Sequence, residues 1–530
     1  MKLLTALVLT PTFLAFACSE ESTKTEDPPA EQAPARDYEV TLSSDKLPVL
    51  QGTTATIDIT VTRRAGFTAP ITIAPSGLPS GASAAPITIA GDKATLTVSA
   101  EASAPHSLPT AVAIDDKKLT VTIYGRPGML DTSFGAGAAP GSVVLPVGAG
   151  DDYGYTMAVQ ADGKILVAGR AAENLGDFAV VRLDRDGKLD PTFGQGGKVM
   201  TDIAGGADTA YAIGVQADGK IVVAGTALNG ASGQDFALVR YEANGELDAS
   251  FGAGGKVTTA FSSDADTAYA LLLEADGSIV VGGDANSGAS TTGLDFALAR
   301  YAPDGKLQWK TTSPISSGSG RDSIYSLAKQ EIDGKSFLVA AGGEGDFAVA
   351  RYDLEGKLDP SFAKQGKIAP PFESAIGAAR AVAIDANGNI VVAGHRGHDF
   401  ALVRLDRTGD LDQSFGDHGK VITEVSKDNW DEAQAVAIES DGKIVAGGWT
   451  YEGGSSSANF TLVRYDPSGK LDPVFGGTGI VISEIATTGK PDTANAIVLQ
   501  SDERVPTTRV LAAGFASTSN SEFAIARYWR

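Results

Sequence analysis

Residues Gln160 to Gly194 read QADGKILVAGRAAENLGDFAVVRLDRDGKLDPTFG, and three pieces of this stretch decide the fold. The first is Asp162-Gly163, set before the apolar run Ile165 to Ala168. A tight hairpin turn that matches strand twist needs positive φ at both central positions, and Asp/Asn-Gly adopts it at little cost. The same dipeptide recurs as Asp218-Gly219, Asp276-Gly277, Asp333-Gly334, Asn387-Gly388 and Asp441-Gly442, while Ser501 to Arg504 stands in its place in the last copy. The second piece is an acid or Asn, then Phe, then Arg four residues on. Its arginines are Arg182, Arg240, Arg300, Arg351, Arg404, Arg464 and Arg527. The third is Leu-Asp-x-x-Phe-Gly, at Leu130 to Gly135, Leu189 to Gly194, Leu247 to Gly252, Leu411 to Gly416 and Leu471 to Gly476. Leu358 to Ala363 lacks only the final Gly, and Leu307-Gln308-Trp309 is a degraded copy.

A period this long is the mark of a repeat architecture. Seven units of about 58 residues fill 128–530. Each offers about four apolar strands; in the second unit these are Lys198 to Ile203, Ala210 to Gln216, Lys220 to Thr226 and Phe236 to Tyr241. Four antiparallel strands per unit, repeated radially, predict an all-β fold: a seven-bladed β-propeller over 128–530. A solenoid is the rival, but its end repeats should be atypical polar caps. Here both end copies keep the apolar pattern, which favours a closed ring.

The combined motif resembles the delta-sixty repeats, a bacterial propeller repeat of surface and secreted proteins, over about 400 residues. The resemblance implies a fold and no particular activity, since propellers host unrelated functions.

Upstream, 37–125 holds short alternating runs: Tyr38 to Leu42, Thr54 to Val61, Ile71 to Ala74, Ala94 to Val98 and Leu119 to Tyr124. Ile57, Ile59 and Val61 alternate with Asp58 and Thr60, the period of a half-buried strand. Many such strands in about 90 residues predict a β-sandwich preceding the propeller. The segment resembles the immunoglobulin-like spacer modules of bacterial surface proteins, without their antibody-type Cys and Trp.

The first residues read as an address. Met1-Lys2 leads a short apolar run to Ala17, too short to span a bilayer, with small residues before Cys18. Residues 1–17 thus resemble a bacterial lipoprotein signal peptide, which implies lipidation at Cys18. Ser19 implies, in family terms, the outer membrane; simple secretion is the alternative. Residues 18–36 carry the lipidated Cys and a polar, Pro-containing tether that cannot bury enough surface to fold.

Composition narrows the function. The chain has 530 residues, 43 Lys+Arg against 65 Asp+Glu, and a net charge of −22. That balance excludes nucleic-acid binding and electrostatic docking on anionic lipid, so membrane contact is expected through the lipid anchor only. One Cys excludes a disulfide framework and a Cys-based zinc cluster.

Residues repeated in every unit read as structure. Arg182 with Asp190, Arg240 with Asp248, Arg351 with Asp359, Arg404 with Asp412 and Arg464 with Asp472 predict a clamp at each blade junction; Gln308 takes the acid's place in the third copy, so Arg300 must find another partner. Asp184-x-Asp186-Gly187 comes nearest to a metal spacing but lacks the distal Glu of an EF-type loop, so no metal and no cofactor are expected. His395, His398 and His418 form the one histidine cluster; His395 and His398 are placed on a solvated loop. No nucleophile motif and no singled-out carboxylate pair point to a catalytic residue. The loops between the third and fourth strands of a unit vary in length whereas the Asp-Gly turns are uniform, so one face is a binding surface on a rigid scaffold. Trp430, Trp449 and Tyr451 cluster near it as weak ligand-binding candidates, with filling of gaps between blades as the alternative. The expected role is non-catalytic binding of a protein or glycan at the cell envelope. A propeller hydrolase or lyase using channel carboxylates, or a purely structural envelope protein, are the other classes.

Overall fold

A computed structural model describes residues 36–530 except 103, 105–106, 108, 136–139, 173–174, 230–232, 287–292, 316–320, 344–346, 371, 373–376, 428, 453–456, 487–488 and 502–507. The expected signal peptide, Cys18 and nearly all of the expected tether therefore lie outside the described residues. Every element among the described residues is a strand.

The unit at 37–125 packs two main sheets and a short two-stranded one, Ile71–Ile73 with Ile87–Ile89, on one core. Tyr38–Leu42, Thr54–Arg63, Lys93–Ala100 and Ala82–Ser83 form one sheet; Lys46–Leu50, Lys117–Tyr124 and Thr110–Ile114 form the other. Alternation decides which side chains meet between them: Ile57, Ile59 and Val61 point inward with Leu96, Val98, Leu119, Val121 and Ile123, all nearly or fully buried. Each such side chain contributes roughly 1.5–3 kcal/mol of burial.

Past Gly141 the described residues form seven four-stranded antiparallel sheets. Their inner strands, in chain order, are Tyr153–Val159, Asp208–Val215, Thr267–Leu273, Ile324–Ile332, Gly377–Ile384, Asp431–Ile438 and Asp492–Gln500. The seventh sheet ends the chain with Arg509–Ser517 and Ser521–Trp529, and its outer strand is Ser142–Leu145 from the start of the region. The inner strand of the first sheet packs against those of both the second and the seventh, so the ring is closed. A core fills each gap between neighbouring sheets; Leu166, Val180, Ile221 and Val239, for example, meet between the first and second.

One expectation is corrected here. The four strands of the second sequence unit do not make one sheet. Its first strand, Lys198–Thr201, pairs with Asp177–Leu183 of the preceding sheet, with Phe178 opposite Thr201. Each sequence unit thus gives its first strand to the sheet before it. The offset is physical: Leu-Asp-x-x-Phe-Gly is a tight connection that folds the chain back onto the strand it has just left, and only then does the chain cross to the next sheet. The same offset closes the ring, because the first unit's leading strand has only the last sheet to join.

The chain ends meet at that seam. Gly128, with φ +86°, donates its N–H to Trp529 O at 2.8 Å, and Gly476 N–H donates to Pro127 O at 2.9 Å. In the intact copies the same bond runs from Gly194 N–H to Asn244 O, just before a positive-φ Gly245. Pro127-Gly128 therefore replaces the half of the turn that the chain break removes. Trp529 also touches Tyr124 of the first unit edge-on at 5.7 Å, with the Arg509 guanidinium 3.4 Å over its ring.

Candidate functional site in the central channel

Each inner strand carries one extra residue. The pairing register shifts at Gly154/Thr156, Ala210/Ala212, Ala268/Ala270, Ile324/Ser326, Ala379/Ala381, Ala433/Ala435 and Ala494/Ala496. The unpaired residue of such a bulge is re-aimed out of the ladder. The seven bulged residues are Tyr155, Tyr211, Tyr269, Tyr325, Arg380, Gln434 and Asn495, and all seven line one central cavity of about 530 Å³. A glycine on the second strand makes room for each bulge. A Cβ at Gly169 would collide with Tyr153 O, and one at Gly514 with Thr493 O. The Gly that closes the hairpin landmark in every copy is thus required by the channel residue beside it.

The channel wall is chemically divided. Tyr155, Tyr211, Tyr269 and Tyr325 form an aromatic arc with successive centroids 5.2, 5.1 and 5.0 Å apart. Burial, reinforced by Tyr211 and Tyr153, pushes the Tyr155 hydroxyl up to about 12, and burial raises Tyr211 and Tyr269 as well. These hydroxyls stay protonated and can donate hydrogen bonds. Arg380 ends the arc, its guanidinium 4.4 Å over the Tyr325 ring and its Nε 2.6 Å from Glu432 Oε1. Burial works against the Arg380 charge, but Glu432 and Tyr325 outweigh it and hold its pKa above the ordinary range. Gln434 and Asn495 complete the wall with amides.

Among the sequence candidates, His395 is corrected. It lies buried on the strand Ile390–Arg396, with Nε2 3.9 Å from Glu432 Oε1, because the hairpin there is too short to carry it into solvent. His398 sits in the exposed turn and stacks on Trp430 at 4.8 Å. His418 is not with them. It lies in the connection before Lys420–Thr423, at the opposite rim of the ring, 2.6 Å from Asp417. Trp449, paired opposite Glu432 on the strand Ile444–Tyr451, meets Tyr451 edge-on at 5.1 Å.

The repeated ion pairs occupy the opposite rim from His395, His398, Trp430 and Trp449. Arg182 and Asp190 meet at 2.9 Å, Arg240 and Asp248 at 2.7 Å, Arg351 and Asp359 at 2.8 Å, Arg404 and Asp412 at 2.8 Å, and Arg464 and Asp472 at 3.0 Å. Arg527 closes the seam with Asp131 at 3.0 Å. Each arginine does more than pair. Arg240 Nη1 donates to Pro303 O in the next unit at 2.5 Å, and its guanidinium lies 4.5 Å over Phe251 of the Leu-Asp-x-x-Phe-Gly connection. Arg300 takes Glu274 at 2.5 Å and Asp276 at 3.4 Å instead.

Six segments, 160–193, 216–251, 274–307, 333–362, 386–415 and 439–475, match the family model "Domain of unknown function (DUF5122) beta-propeller". The chain carries repeated beta-propeller units. No curated protein matches the propeller or the unit before it. Among solved structures, an ulvan lyase, a polysaccharide lyase solved with a GlcA–Rha3S saccharide, is similar at 10% identity and TM-score 0.41, covering 73% of this chain and 96% of that one. A protein described as a putative oxidoreductase (glucose dehydrogenase) from Thermus thermophilus is similar at 16% identity and TM-score 0.32, covering 58% and 94%. A tail fibre of Staphylococcus aureus phage P68 is similar at 10% identity and TM-score 0.25, covering 49% and 50%.

The propeller's channel residues escaped the sequence reading, although a signal was present. Asp152-x-Gly-Tyr155, Asp208-x-Ala-Tyr211, Asp266-x-Ala-Tyr269 and Asp322-x-Ile-Tyr325 recur, each Tyr seven or eight residues before the Asp of the hairpin. The later copies put Arg380, Gln434 and Asn495 at the tyrosine position, which hides the pattern.

Proposed function

We propose that the protein is a seven-bladed propeller of the delta-sixty type, carried on an immunoglobulin-like spacer and anchored through lipidated Cys18 at the bacterial outer membrane. Its work is to bind a glycan, without cleaving it, at the mouth of the central channel. The observation that carries this reading is the divided wall. An arc of four tyrosines offers faces and edges to sugar rings, and Arg380, Glu432, Gln434 and Asn495 offer directional donors and acceptors to hydroxyls. This differs from the weaker candidates Trp430, Trp449 and Tyr451, which lie near the mouth and would extend the surface.

The test is a panel of envelope and extracellular polysaccharides presented to the full chain and to a Tyr211→Ala, Tyr269→Ala double variant. The expected result is one class of glycan held by the wild type, with at least tenfold weaker binding by the variant at an unchanged melting temperature. Equal binding by both would remove the channel reading.

A second reading rests on Glu432. It stands where other copies have Thr209, Thr267, Ser323 and Thr493, so it is a non-repeated acid at the channel, and Arg380, His395 and Tyr325 surround it. That grouping suits proton transfer in a hydrolase or lyase. Release of shortened saccharide by the wild type and not by Glu432→Gln would establish it.

A further inference from the structure

We propose that the junction between the first and second sheets binds a divalent cation of the calcium class through Asp177, Asp202 and Asp208. The three carboxylates come from three different segments: the start of the strand Asp177–Leu183, the loop after Lys198–Thr201, and the start of the inner strand Asp208–Val215. They bring one oxygen each to within 4.8 Å of the others. Like charges this close, two of them buried, repel one another unless something neutralises them.

A second observation points the same way. Asp208 is fully buried, and its two oxygens are unequal. Oδ2 accepts the Ile203 N–H at 2.6 Å, whereas Oδ1 has no hydrogen-bond partner. The Leu228 N–H that also faces this carboxylate is engaged with Ala207 O at 3.1 Å. A buried carboxylate oxygen without a donor destabilises the fold, and a bound cation would remove that cost. Asp202 is exposed, so the group opens to solvent and an ion can enter without unfolding the junction. Oxygen-only donors of this charge suit a hard cation, with water completing a flexible coordination shell.

The third sheet's equivalent junction shows what is particular here. Asp266 repeats the buried acid, and its Oδ2 accepts Phe261 N–H at 2.6 Å, but Ala260 stands where Asp202 would be. The buried acid recurs in six of the seven copies, with Gly377 in its place in the fifth, and acids also follow the outer strand as Glu424 and Glu484. Among the described residues, though, only Asp177, Asp202 and Asp208 bring three such oxygens within 4.8 Å of one another.

The experiment uses the full chain stripped with chelator, at neutral pH and moderate salt, with Ca2+ as the probe. Calorimetry should show saturable binding, and the melting temperature should rise on adding Ca2+. Asp202→Asn keeps the acceptor that bonds Gly205 N–H at 2.6 Å, so its Ca2+-free melting temperature should match the wild type while Ca2+ binding weakens at least tenfold. Absence of heat and of any melting shift in the wild type overturns the proposal, as does an Asp202→Asn variant that binds Ca2+ like the wild type.

Discussion

The two rims of the ring are built on opposite rules. At the rim of the Asp-Gly turns, one arrangement repeats: Arg over Phe, paired with Asp, reaching a carbonyl of the next unit, as Arg182 does with Phe193, Asp190 and Ala243. At the other rim a buried acid still recurs in six copies, but along the channel the backbone repeats while the side chain changes: four bulges carry Tyr, as at Tyr211, and the others carry Arg380, Gln434 and Asn495. A group needed at every junction marks the joint. A group found once marks whatever the molecule does.

The sharpest way to break this contrast is to remove a clamp. Arg240 and Asp248 are almost wholly buried; truncating Arg240 removes the inter-unit bond to Pro303 O and leaves the buried Asp248 with Lys220 as its remaining cation. Arg240→Ala is expected to destabilise by about 3–5 kcal/mol, seen as a large fall in melting temperature. Arg300→Ala should cost well under half as much, since Arg300 is more exposed and one of its partners, Asp276, is mostly in water. Equal losses would mean that the clamp geometry, rather than the burial of its charges, sets the strength of the joint.

Acid separates the two rims by sign. At the clamp rim, burial would raise Asp190 and Asp248, but Thr192 and Lys164, or Lys220 and Ser250, together with the arginines, outweigh it and hold both well below the usual carboxylate range. Carboxylates depressed in the folded state lend stability above their unfolded pKa of about 3.8, and it drains away as pH falls below that value. At the opposite rim, burial with Asp202 and Asp177 nearby lifts Asp208 to about 6, and Asp266, Asp431 and Asp492 are also raised. Their ionised forms burden the folded state, so protonating them adds stability as pH falls, for Asp208 as it passes about 6. With chelator present, the melting temperature should rise gently from pH 7 towards 5 and drop steeply below about 4. Asp208→Asn should flatten the gentle rise and leave the steep drop. A melting temperature that falls steadily from pH 7 would contradict this ordering.

What the sequence made legible follows the same division. The hairpins, the Arg–Asp pairs and the strand periods were readable because each is a local rule stated five to seven times over, although both turn residues have positive φ only at Asp333-Gly334, the other Asp/Asn-Gly copies turning on the Gly alone. The strand offset was not, because Lys198–Thr201 carries the same apolar alternation whichever sheet it joins, and only the tightness of Leu189 to Gly194 decides. The channel was hidden for a related reason. A bulge residue is defined by the partner strand it fails to pair with, and Tyr211 reads like any strand tyrosine until Gly225 is seen pressed against Thr209 O. His395 was placed in solvent because nothing local announces that the Arg396–Asp399 turn leaves it on the strand.

The smallest expected effect tests whether the exposed aromatic group is joint or surface. Trp430 is 40% exposed and stacks on His398, itself exposed, so little of either ring is held by the core. Trp449 is half-buried against Tyr451, at a strand end and away from the clamps. If both serve as surface, Trp430→Ala with Trp449→Ala should cost on the order of 1 kcal/mol or less in stability, as substitutions outside a packed core do. It should also weaken glycan binding less than loss of the channel tyrosines, because a ring stacked in a confined wall is desolvated on both sides while a rim ring keeps water on one. A fall in melting temperature as deep as that of Arg240→Ala would place these tryptophans among the joints. They would then be gap-fillers between the fifth and sixth sheets, and the varied rim would owe its variation to packing.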